Sequence, residues 1–218
     1  MEENFLMKMS SDGNIIHSTA IISKSVKLGK NNFIGAYCVI TGNVEIGDNN
    51  RFESHVCIGS VAQHRNKEFK PFGVKIGSNN VIREFVTIHS GIENVTIIKN
   101  DCYLMNYVHV PHDCIMGNSV TIANSTQIGG HAIIEDYCNI GLNATIHQFS
   151  YLGEGAMIGM GTVIPKNKRI LPYKTYVGNP CKEIKDNEHL IQKNNIQLFD
   201  LLEMRKVYNS VFNGKFIK

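Results

Sequence analysis

Residues 120–141 read VTIANSTQIGGHAIIEDYCNIG, and every sixth residue of this stretch from Ile122 onward is isoleucine. The same spacing of apolar residues continues in both directions, in two runs that differ in phase. The first run is Ile16, Ile22, Leu28, Ile34, Ile40, Ile46, Phe52 and Ile58, followed by Ile76, Ile82 and Ile88. The second run is Ile98, Leu104, Val110, Met116, Ile122, Ile128, Ile134, Ile140, Ile146, Leu152, Ile158 and Ile164. This period is typical of a parallel β-helix, in which each hexad supplies one short strand and three hexads complete a coil.

Two other positions of the hexad support the same fold. The residue two before many of the apolar positions is small or β-branched, and a glycine often follows the apolar residue. Glycine there tolerates the backbone conformations of a tight turn. Four cysteines occupy the small inward position, namely Cys38, Cys102, Cys114 and Cys138. We predict that these four pack in the core, because the chain has no CxxC pair and no zinc-like cysteine spacing.

The repeat is interrupted twice. Residues 61–73, VAQHRNKEFKPFG, form a polar insertion that we predict to be extruded between coils. Residues 89–97 shift the phase of the repeat by four residues, which indicates a second, smaller excursion. Insertions between the repeats of a solenoid often gather on its functional face.

The six-residue pattern is predicted to end after Ile164, with a β-helix domain over residues 1–182 and a helical segment over residues 183–218. In the helical segment Asn195 suits an N-cap and Gly214 a C-terminal stop. The apolar stripe of this segment is predicted to pack against the rest of the protein. Its members are Leu198, Leu202, Val211 and Phe212.

Composition narrows the class of protein. The net charge is +3 and no basic block is present, which argues against a nucleic-acid-binding protein. We find no apolar run that suits a signal peptide or a membrane span, and the scattered cysteines suit a reducing compartment. The sequence therefore predicts a soluble cytoplasmic protein.

The coil length predicts which polar side chains meet. Residues eighteen apart lie in adjacent coils, about 4.8 Å apart as neighbouring strands do. His112, Gly130 and Gln148 then form one stack, His131 lies over Asp113, and His147 lies over Gly129. One corner of the prism gathers these polar groups, with His109 just before the turn. The predicted cluster is His109, His112, Asp113, Gly130, His131, His147 and Gln148.

Such a cluster has the parts of an acyl-transfer site. Several polar groups that orient one another suit proton transfer, and histidine is the side chain most easily poised for it near neutral pH. The backbone N–H of Gly130 could face an oxyanion that forms beside His112, because no side chain blocks it. A base, its orienting neighbours and an oxyanion donor together predict acyl transfer.

The chain resembles the UDP-N-acetylglucosamine O-acyltransferases of lipid A synthesis and related nucleotide-sugar acyltransferases. The resemblance rests on IHSTAII, NNVIREFVTIHSG, HVPHDC, IANSTQIGGHAIIEDYCNIG and ATIHQFSYLGEGAMIG, within roughly residues 15–180. It implies a left-handed parallel β-helix and a homotrimer with sites between subunits. It also implies that His112 is the general base and that Gly130 N–H is the oxyanion donor. The substrate-binding residues that follow from the cluster and the resemblance are His109, Asp113, His131, His147, Gln148 and Gln63.

Departures from the family pattern bear on the substrates. The loop at 61–73 keeps Gln63 but lacks the family's QDLKY, and no GLKRRG segment is present. VGNPCKEI at 177–184 instead resembles the GNPAK ending of coenzyme A-dependent hexapeptide acetyltransferases. Met160 stands where a glycine opens the acyl groove of long-chain enzymes, which predicts an acyl-chain ruler that shortens the groove.

These features predict an enzyme that moves a short or medium acyl group from an acyl-CoA or acyl-carrier-protein thioester. The acceptor is the 3-hydroxyl or 3-amine of a nucleotide-linked amino sugar, for lipopolysaccharide or surface-glycan synthesis. No bound cofactor or metal is expected. One alternative is the lipid A enzyme itself, which uses 3-hydroxyacyl carrier protein and UDP-N-acetylglucosamine. A remote one is a γ-carbonic anhydrase-like enzyme with zinc on His89, His109 and His112, although the required close histidine pair is missing. A non-catalytic solenoid is the least favoured.

Overall fold

Each hexad forms one short strand, mostly of two residues, in a computed structural model that describes residues 7–65 and 70–212. The strands are β1 (Met7–Met9), β2 (Ile15–His17), β3 (Ile21–Ile22), β4 (Lys27–Leu28), β5 (Phe33–Ile34), β6 (Val39–Ile40), β7 (Val44–Ile46), β8 (Arg51–Phe52), β9 (Cys57–Ser60), β10 (Val74–Ile76), β11 (Val81–Ile82), β12 (Thr87–His89), β13 (Thr96–Ile98) and β14 (Tyr103–Leu104). They continue with β15 (His109–Val110), β16 (Ile115–Met116), β17 (Thr121–Ile122), β18 (Gln127–Ile128), β19 (Ile133–Ile134), β20 (Asn139–Ile140), β21 (Thr145–Ile146), β22 (Tyr151–Leu152), β23 (Met157–Ile158), β24 (Val163–Ile164), β25 (Arg169–Ile170), β26 (Lys174–Val177) and β27 (Lys182–Asp186).

The strands form three sheets, because every third strand pairs with the next in parallel. Sheet A has the order β1-β2-β5-β8-β11-β14-β17-β20-β23-β26-β27. Sheet B runs β3-β6-β9-β12-β15-β18-β21-β24, and sheet C runs β4-β7-β10-β13-β16-β19-β22-β25. The first and last pairs of sheet A, β1–β2 and β26–β27, are antiparallel. The chain passes from A to B to C in each coil, which makes a three-sided prism with an A–B, a B–C and a C–A corner. The parallel β-helix expected from the sequence is confirmed.

The core is a column of the six-spaced apolar side chains. From Ile34 to Ile164 all of them are buried, while those of the first coil are only partly buried. The prediction that the series ends after Ile164 is wrong, because Ile170 and Tyr176 continue it at 0% and 4% exposure. A tyrosine fits the last position because its hydroxyl leaves the core and donates a hydrogen bond to Glu183 at 3.2 Å.

The four cysteines predicted to pack in the core do so. Cys38, Cys102, Cys114 and Cys138 are each at most 2% exposed, and none of them is in a disulfide. Burial raises the pKa of the Cys38 and Cys102 thiols to about 11, so both remain uncharged at neutral pH. A neutral thiol behaves as a small apolar side chain, which suits the small inward position of the hexad.

A column of buried asparagines replaces the small residues at the C–A corner of the first coils. Asn32, Asn50 and Asn80 each donate their backbone N–H to the side-chain oxygen of the asparagine one coil before, at 2.8–2.9 Å. Asn14 begins the column, and the backbone N–H of Cys102 ends it on Asn80 at 2.8 Å. These side chains are at most 4% exposed, and hydrogen bonding along the column satisfies them.

The two interruptions of the repeat leave the prism at neighbouring places. The insertion lies between β9 and β10, and the smaller excursion lies between β12 and β13, one coil further along sheet B. The two segments are hydrogen-bonded to each other, since Phe72 N–H donates to Gly91 O at 2.9 Å and Gly73 N–H donates to Ser90 Oγ at 2.8 Å. Residues 66–69 of the insertion lie outside the described residues.

The C-terminal segment differs from the expectation in its details. β27 runs to Asp186, four residues past the expected boundary at 182, and helices α1 (Glu188–Lys193) and α2 (Leu198–Phe212) follow. Asn195 is not an N-cap, because it has a left-handed backbone (φ +51°) in the turn between the helices. The other helix, α1, has a side-chain cap, because Oδ1 of Asn187 accepts the N–H of Leu190. Gly214 lies outside the described residues.

The apolar stripe predicted to pack is exposed instead. Leu198, Leu202 and Val211 are 70%, 53% and 64% exposed, and the side chain of Phe212 lies outside the described part of the chain. Helix α2 packs through Leu201 and Tyr208, which are 2% and 7% exposed. The guanidinium of Arg205 fixes this orientation by donating to Pro172 O, Tyr173 O and Asp186. Neither described helix is long and apolar enough to cross a membrane.

Candidate active site at the B–C corner

The register of sheet B brings the predicted polar cluster together at the B–C corner. His109 pairs with Gln127, eighteen residues later, and the corner keeps the same step. His131 N–H donates to His112 O at 3.2 Å, and Phe149 N–H donates to Gly130 O at 3.0 Å. The corner thus holds all seven predicted residues of the cluster on three successive coils, namely His109, His112, Asp113, Gly130, His131, His147 and Gln148.

A histidine–aspartate pair forms the centre of this corner. Nδ1 of His112 lies 2.7 Å from Oδ2 of Asp113, and the two side chains are 14% and 1% exposed. An ionised carboxylate only accepts hydrogen bonds, so Nδ1 of His112 carries the proton. The other ring nitrogen, Nε2, then has a free lone pair. His112 is therefore oriented as a base.

The carboxylate of Asp113 is held by backbone as well as by His112. The N–H groups of Glu93 and Asn94 donate to Oδ1 at 2.9 and 2.6 Å, and that of Ile92 lies 3.2 Å away. Burial favours the neutral acid, but these hydrogen bonds together with that from His112 outweigh it and lower the pKa of Asp113. Asp113 also has a left-handed backbone (φ +61°), which aims its side chain at the smaller excursion.

Gly130 leaves the space in which the ring of His112 lies. A Cβ at position 130 would lie 2.6 Å from Cε1 and 2.9 Å from Nε2 of His112. Across the described residues, the N–H of Gly130 donates no hydrogen bond. A free N–H beside the lone pair of a base is the arrangement that an oxyanion needs.

His131 forms the second layer of the corner. Its Nε2 lies 3.7 Å from Oδ2 of Asp113, and its ring stacks on Phe149 with centroids 4.6 Å apart. Lys166, one coil further, places its ammonium 5.6 Å from the Phe149 centroid. The aromatic and cationic groups were not predicted from the sequence, although Phe149 follows Gln148 directly and stacks on His131 by the same period.

His109 lies on the sheet B side of the corner and is half-buried among polar neighbours. Its Nδ1 is 2.8 Å from Oγ1 of Thr87, and its ring is edge-on to that of His89 with centroids 5.1 Å apart. Burial lowers the pKa of His109 to about 4, and the nearby His89 and His112 add to the effect. His109 is thus neutral at neutral pH and offers a hydrogen bond rather than a charge.

The extruded loop contributes a histidine that the sequence did not single out. The ring of His64 is edge-on to that of His112, with centroids 6.0 Å apart. Gln63, the predicted residue of this loop, is exposed beside it. His89 anchors the start of the loop, because its Nδ1 donates to the carbonyl of Val61 at 2.8 Å. The insertion therefore contacts the predicted corner through His64.

The same corner contains a group of three side chains with metal-ligand geometry. Ligand atoms of His112, Asp113 and His131 lie within 4.8 Å of one another. This set differs from the zinc ligands of the remote alternative, which needs His89 and His109 besides His112. The oxygens of Asp113 are already occupied by backbone N–H groups and by His112. A metal ion would have to break those bonds, so the geometry favours an oriented base.

Met160 does not lie on the same corner as His112. It follows β23 at the A–B corner and is 74% exposed, whereas His112 lies between β15 and β16 at the B–C corner. An acyl chain that follows the B–C corner of one chain does not meet Met160 of that chain. Beside the corner the structure has a groove of about 460 Å³ on sheet C, with Ile115, Ile133 and Phe149 among its lining residues.

The comparisons with known proteins agree with this fold. The model of the bacterial transferase hexapeptide (six repeats) family matches residues 25–60 and 95–130. The acyl-[acyl-carrier-protein]–UDP-N-acetylglucosamine O-acyltransferase of Thermodesulfovibrio yellowstonii is 41% identical over 118 residues. That match covers 44% of this chain and 46% of the relative, so it spans less than half of the relative's length.

Solved structures match over most of the chain. LpxA from Acinetobacter baumannii has a TM-score of 0.79 and 30% identity, and the match covers 91% of this chain and 84% of that one. The UDP-N-acetylglucosamine acyltransferase from Campylobacter jejuni has a TM-score of 0.77 and 28% identity, with 95% and 86% covered.

The lowered pKa of half-buried His109 predicts a pH dependence of stability. The unfolded chain gives histidine an ordinary pKa near 6.5, whereas in the folded protein the pKa is about 4. Between these values the unfolded chain binds a proton that the folded protein does not, so stability falls as the pH drops through this window. We expect the loss in urea midpoint from pH 7 to pH 4.5 to be smaller in His109→Gln than in the parent. Half-protonation of His109 near pH 6.5 in an NMR titration of the folded protein would contradict this expectation.

Proposed function

This chain belongs to the hexapeptide-repeat family of UDP-N-acetylglucosamine acyltransferases, and we propose that it transfers an acyl group from a thioester to a nucleotide-linked amino sugar. The observation that carries the proposal is the B–C corner, where Asp113 orients His112 and the N–H of Gly130, next to the His112 ring, donates to none of the described residues. The relatives named above favour the UDP-N-acetylglucosamine acceptor and the acyl-carrier-protein donor, which was the alternative reading of the sequence.

The corner supplies each step of the transfer. Nε2 of His112 takes the proton of the acceptor hydroxyl or amine while the acceptor atom attacks the thioester carbonyl. The carbonyl oxygen becomes an oxyanion that the Gly130 N–H stabilises. When the intermediate collapses, the C–S bond breaks and the imidazolium of His112 returns its proton to the leaving thiolate. The acyl group ends on the sugar, and the free thiol leaves.

The polar side chains around the pair serve binding in this proposal. Neutral His109 and the loop residues Gln63 and His64 lie on the sheet B side and contact the acceptor sugar. His131, His147 and Gln148 lie further along the corner and contact the pantetheine of the donor. The support for this division is their position along the corner on either side of His112, on the described coils. The cytoplasmic location and the absence of a bound cofactor stay predictions from the sequence.

The first test removes the base. His112→Ala should lower kcat by a factor on the order of 10²–10⁴, because the acceptor then loses its proton to water only. The measurement is the steady-state rate with acyl carrier protein and with acyl-CoA as donors, each with UDP-N-acetylglucosamine. His189→Ala, on α1 and away from the corner, is the matched control and should keep the parent rate. Near-parent turnover of folded His112→Ala excludes His112 as the base.

The second test concerns assembly. His112 lies on a convex corner, which offers one wall, whereas two substrates need a second wall to exclude water. We propose that a neighbouring subunit supplies this wall and that the protein is a homotrimer. Light scattering should give about three times the 24.4 kDa of one chain at assay concentration. A monomer that is fully active contradicts the proposal.

The third test concerns acyl length. Met160 reaches an acyl chain bound at His112 only from a neighbouring subunit, because the two residues lie on different corners. In that arrangement its side chain fills space, and each methylene excluded from burial is worth about 0.8 kcal/mol. We propose a preference for acyl groups up to about ten carbons, and Met160→Gly should raise the ratio of long-chain to short-chain kcat/KM. The short-chain rate should stay within about tenfold, because the reacting atoms are untouched.

Leu142→Gly, one coil earlier at the same corner, is the comparison variant for the loss of an exposed apolar side chain. If Met160→Gly leaves the ratio of long-chain to short-chain kcat/KM unchanged, Met160 does not limit the length of the acyl chain. The acyl chain then runs elsewhere, and the groove on sheet C beside Ile133 is the next place to probe.

A further inference from the structure

The smaller excursion contacts both the extruded loop and the histidine–aspartate pair. Its residues 90–94, here called the clamp segment, follow β12 directly. On the loop side, Ser90 Oγ accepts the N–H of Gly73 at 2.8 Å and Gly91 O accepts the N–H of Phe72 at 2.9 Å. Both contacts are at the end of the loop that returns to β10. The clamp segment therefore closes the base of the loop that carries His64.

On its other side the clamp segment binds the carboxylate of Asp113. Three consecutive N–H groups, those of Ile92, Glu93 and Asn94, lie 2.6–3.2 Å from Oδ1. Oδ2 of the same carboxylate accepts a hydrogen bond from Nδ1 of His112. A side chain with 1% exposure that accepts from three backbone donors has little freedom to rotate.

The turn inside the clamp segment depends on Gly91. An added Cβ would lie 1.6 Å from Asn94 O and 3.1 Å from Oδ1 of Asp113. The first distance is far below any real contact, so a side chain at 91 must displace the donors of Asp113. At the B–C corner one coil later, residues 111–114 connect β15 to β16 without such an excursion. Closing a coil thus does not require the clamp segment.

We propose that the clamp segment is a positioning element of the transfer reaction: it locks the Asp113 carboxylate against His112 and ties that pair to the base of the extruded loop. The proposal rests on the proposed acyl transfer for its kinetic consequence only. Its structural consequence is that the clamp segment selects the His112 tautomer with the proton on Nδ1. Gly91 and Ser90 act through other groups and touch no substrate.

The experiment compares Gly91→Ala with Gly47→Ala. Gly47 is a turn glycine at the C–A corner, away from the site, and its added Cβ would lie 2.5 Å from Ser78 Oγ and 2.8 Å from Gly77 O. It tests the effect of a side chain at a crowded turn, with milder crowding than at Gly91. Gly91→Ala should lower kcat by about 10- to 100-fold, since partners that orient a functional histidine carry effects of this size. Gly47→Ala should stay within about threefold of the parent. Asp113→Asn should change kcat in the same direction as Gly91→Ala.

A second readout needs no turnover. ¹⁵N NMR of the histidine side chains, without substrate, should show His112 with its proton on Nδ1 in the parent and in Gly47→Ala. Gly91→Ala and Asp113→Asn should both show a mixture of tautomers. The parent protein could lack acyl-transfer activity while the His112 tautomer changes in Gly91→Ala and Asp113→Asn as expected. That result contradicts the proposed function and supports the positioning role of the clamp segment.

If Gly91→Ala does not fold, Ser90→Ala is the variant that tests the proposal. It removes only the acceptor of the Gly73 N–H and should raise the KM of the acceptor substrate about threefold or more, as the loss of one such hydrogen bond does. It should also increase hydrogen exchange of the Glu93 and Asn94 amides, which a purely local role for Ser90 does not do. Parent-like kcat and tautomer in folded Gly91→Ala, or unchanged Glu93 and Asn94 exchange in Ser90→Ala, overturns the proposal.

Discussion

The eighteen-residue coil is the constraint on which the rest of this structure depends. Each hexad places one apolar side chain in the central column, and the burial of that column is the main favourable term for folding. Because every described position of the column holds an apolar or aromatic side chain, each side chain at a corner keeps its height and its side of the prism. A catalytic arrangement can therefore be built from residues far apart in the chain without any loop of its own. His112 and Gly130 meet for that reason alone.

The same constraint explains why both insertions lie where they do. A coil of fixed size cannot be stretched, so extra residues must leave the prism between two strands. The extruded loop and the clamp segment leave at adjacent coils, next to the sheet B strands that carry His89 and His109. Their hydrogen bonds to each other make them one unit, which contacts the corner from outside. In the proposed mechanism the prism supplies the base and the oxyanion donor, and the insertions supply the groups that orient and surround them.

The sequence predicts the coil, the buried column and the polar corner, because each follows from a period that can be counted. Its failures have physical reasons. The N–H groups that hold Asp113 belong to the backbone, and no side-chain pattern encodes them. Helix α2 is apolar on two sides, and the anchoring contacts of Arg205 decide that Leu201 is buried while Leu198 is exposed. Met160 lies two coils and two further hexads after His112, and those two hexads move it to another corner.

The position of Met160 on a different corner from His112 affects which subunit sets the selectivity for acyl length in the proposed trimer. In the proposed mechanism the reacting groups of one chain lie on a convex corner, which leaves the acyl chain with the groove on sheet C or with solvent. A residue on the A–B corner affects the acyl group only across a subunit boundary. In the proposed trimer the chemistry belongs to one chain and the acyl length to its neighbour. The two properties can then vary independently, because a substitution at the A–B corner changes neither the His112–Asp113 pair nor the free N–H of Gly130.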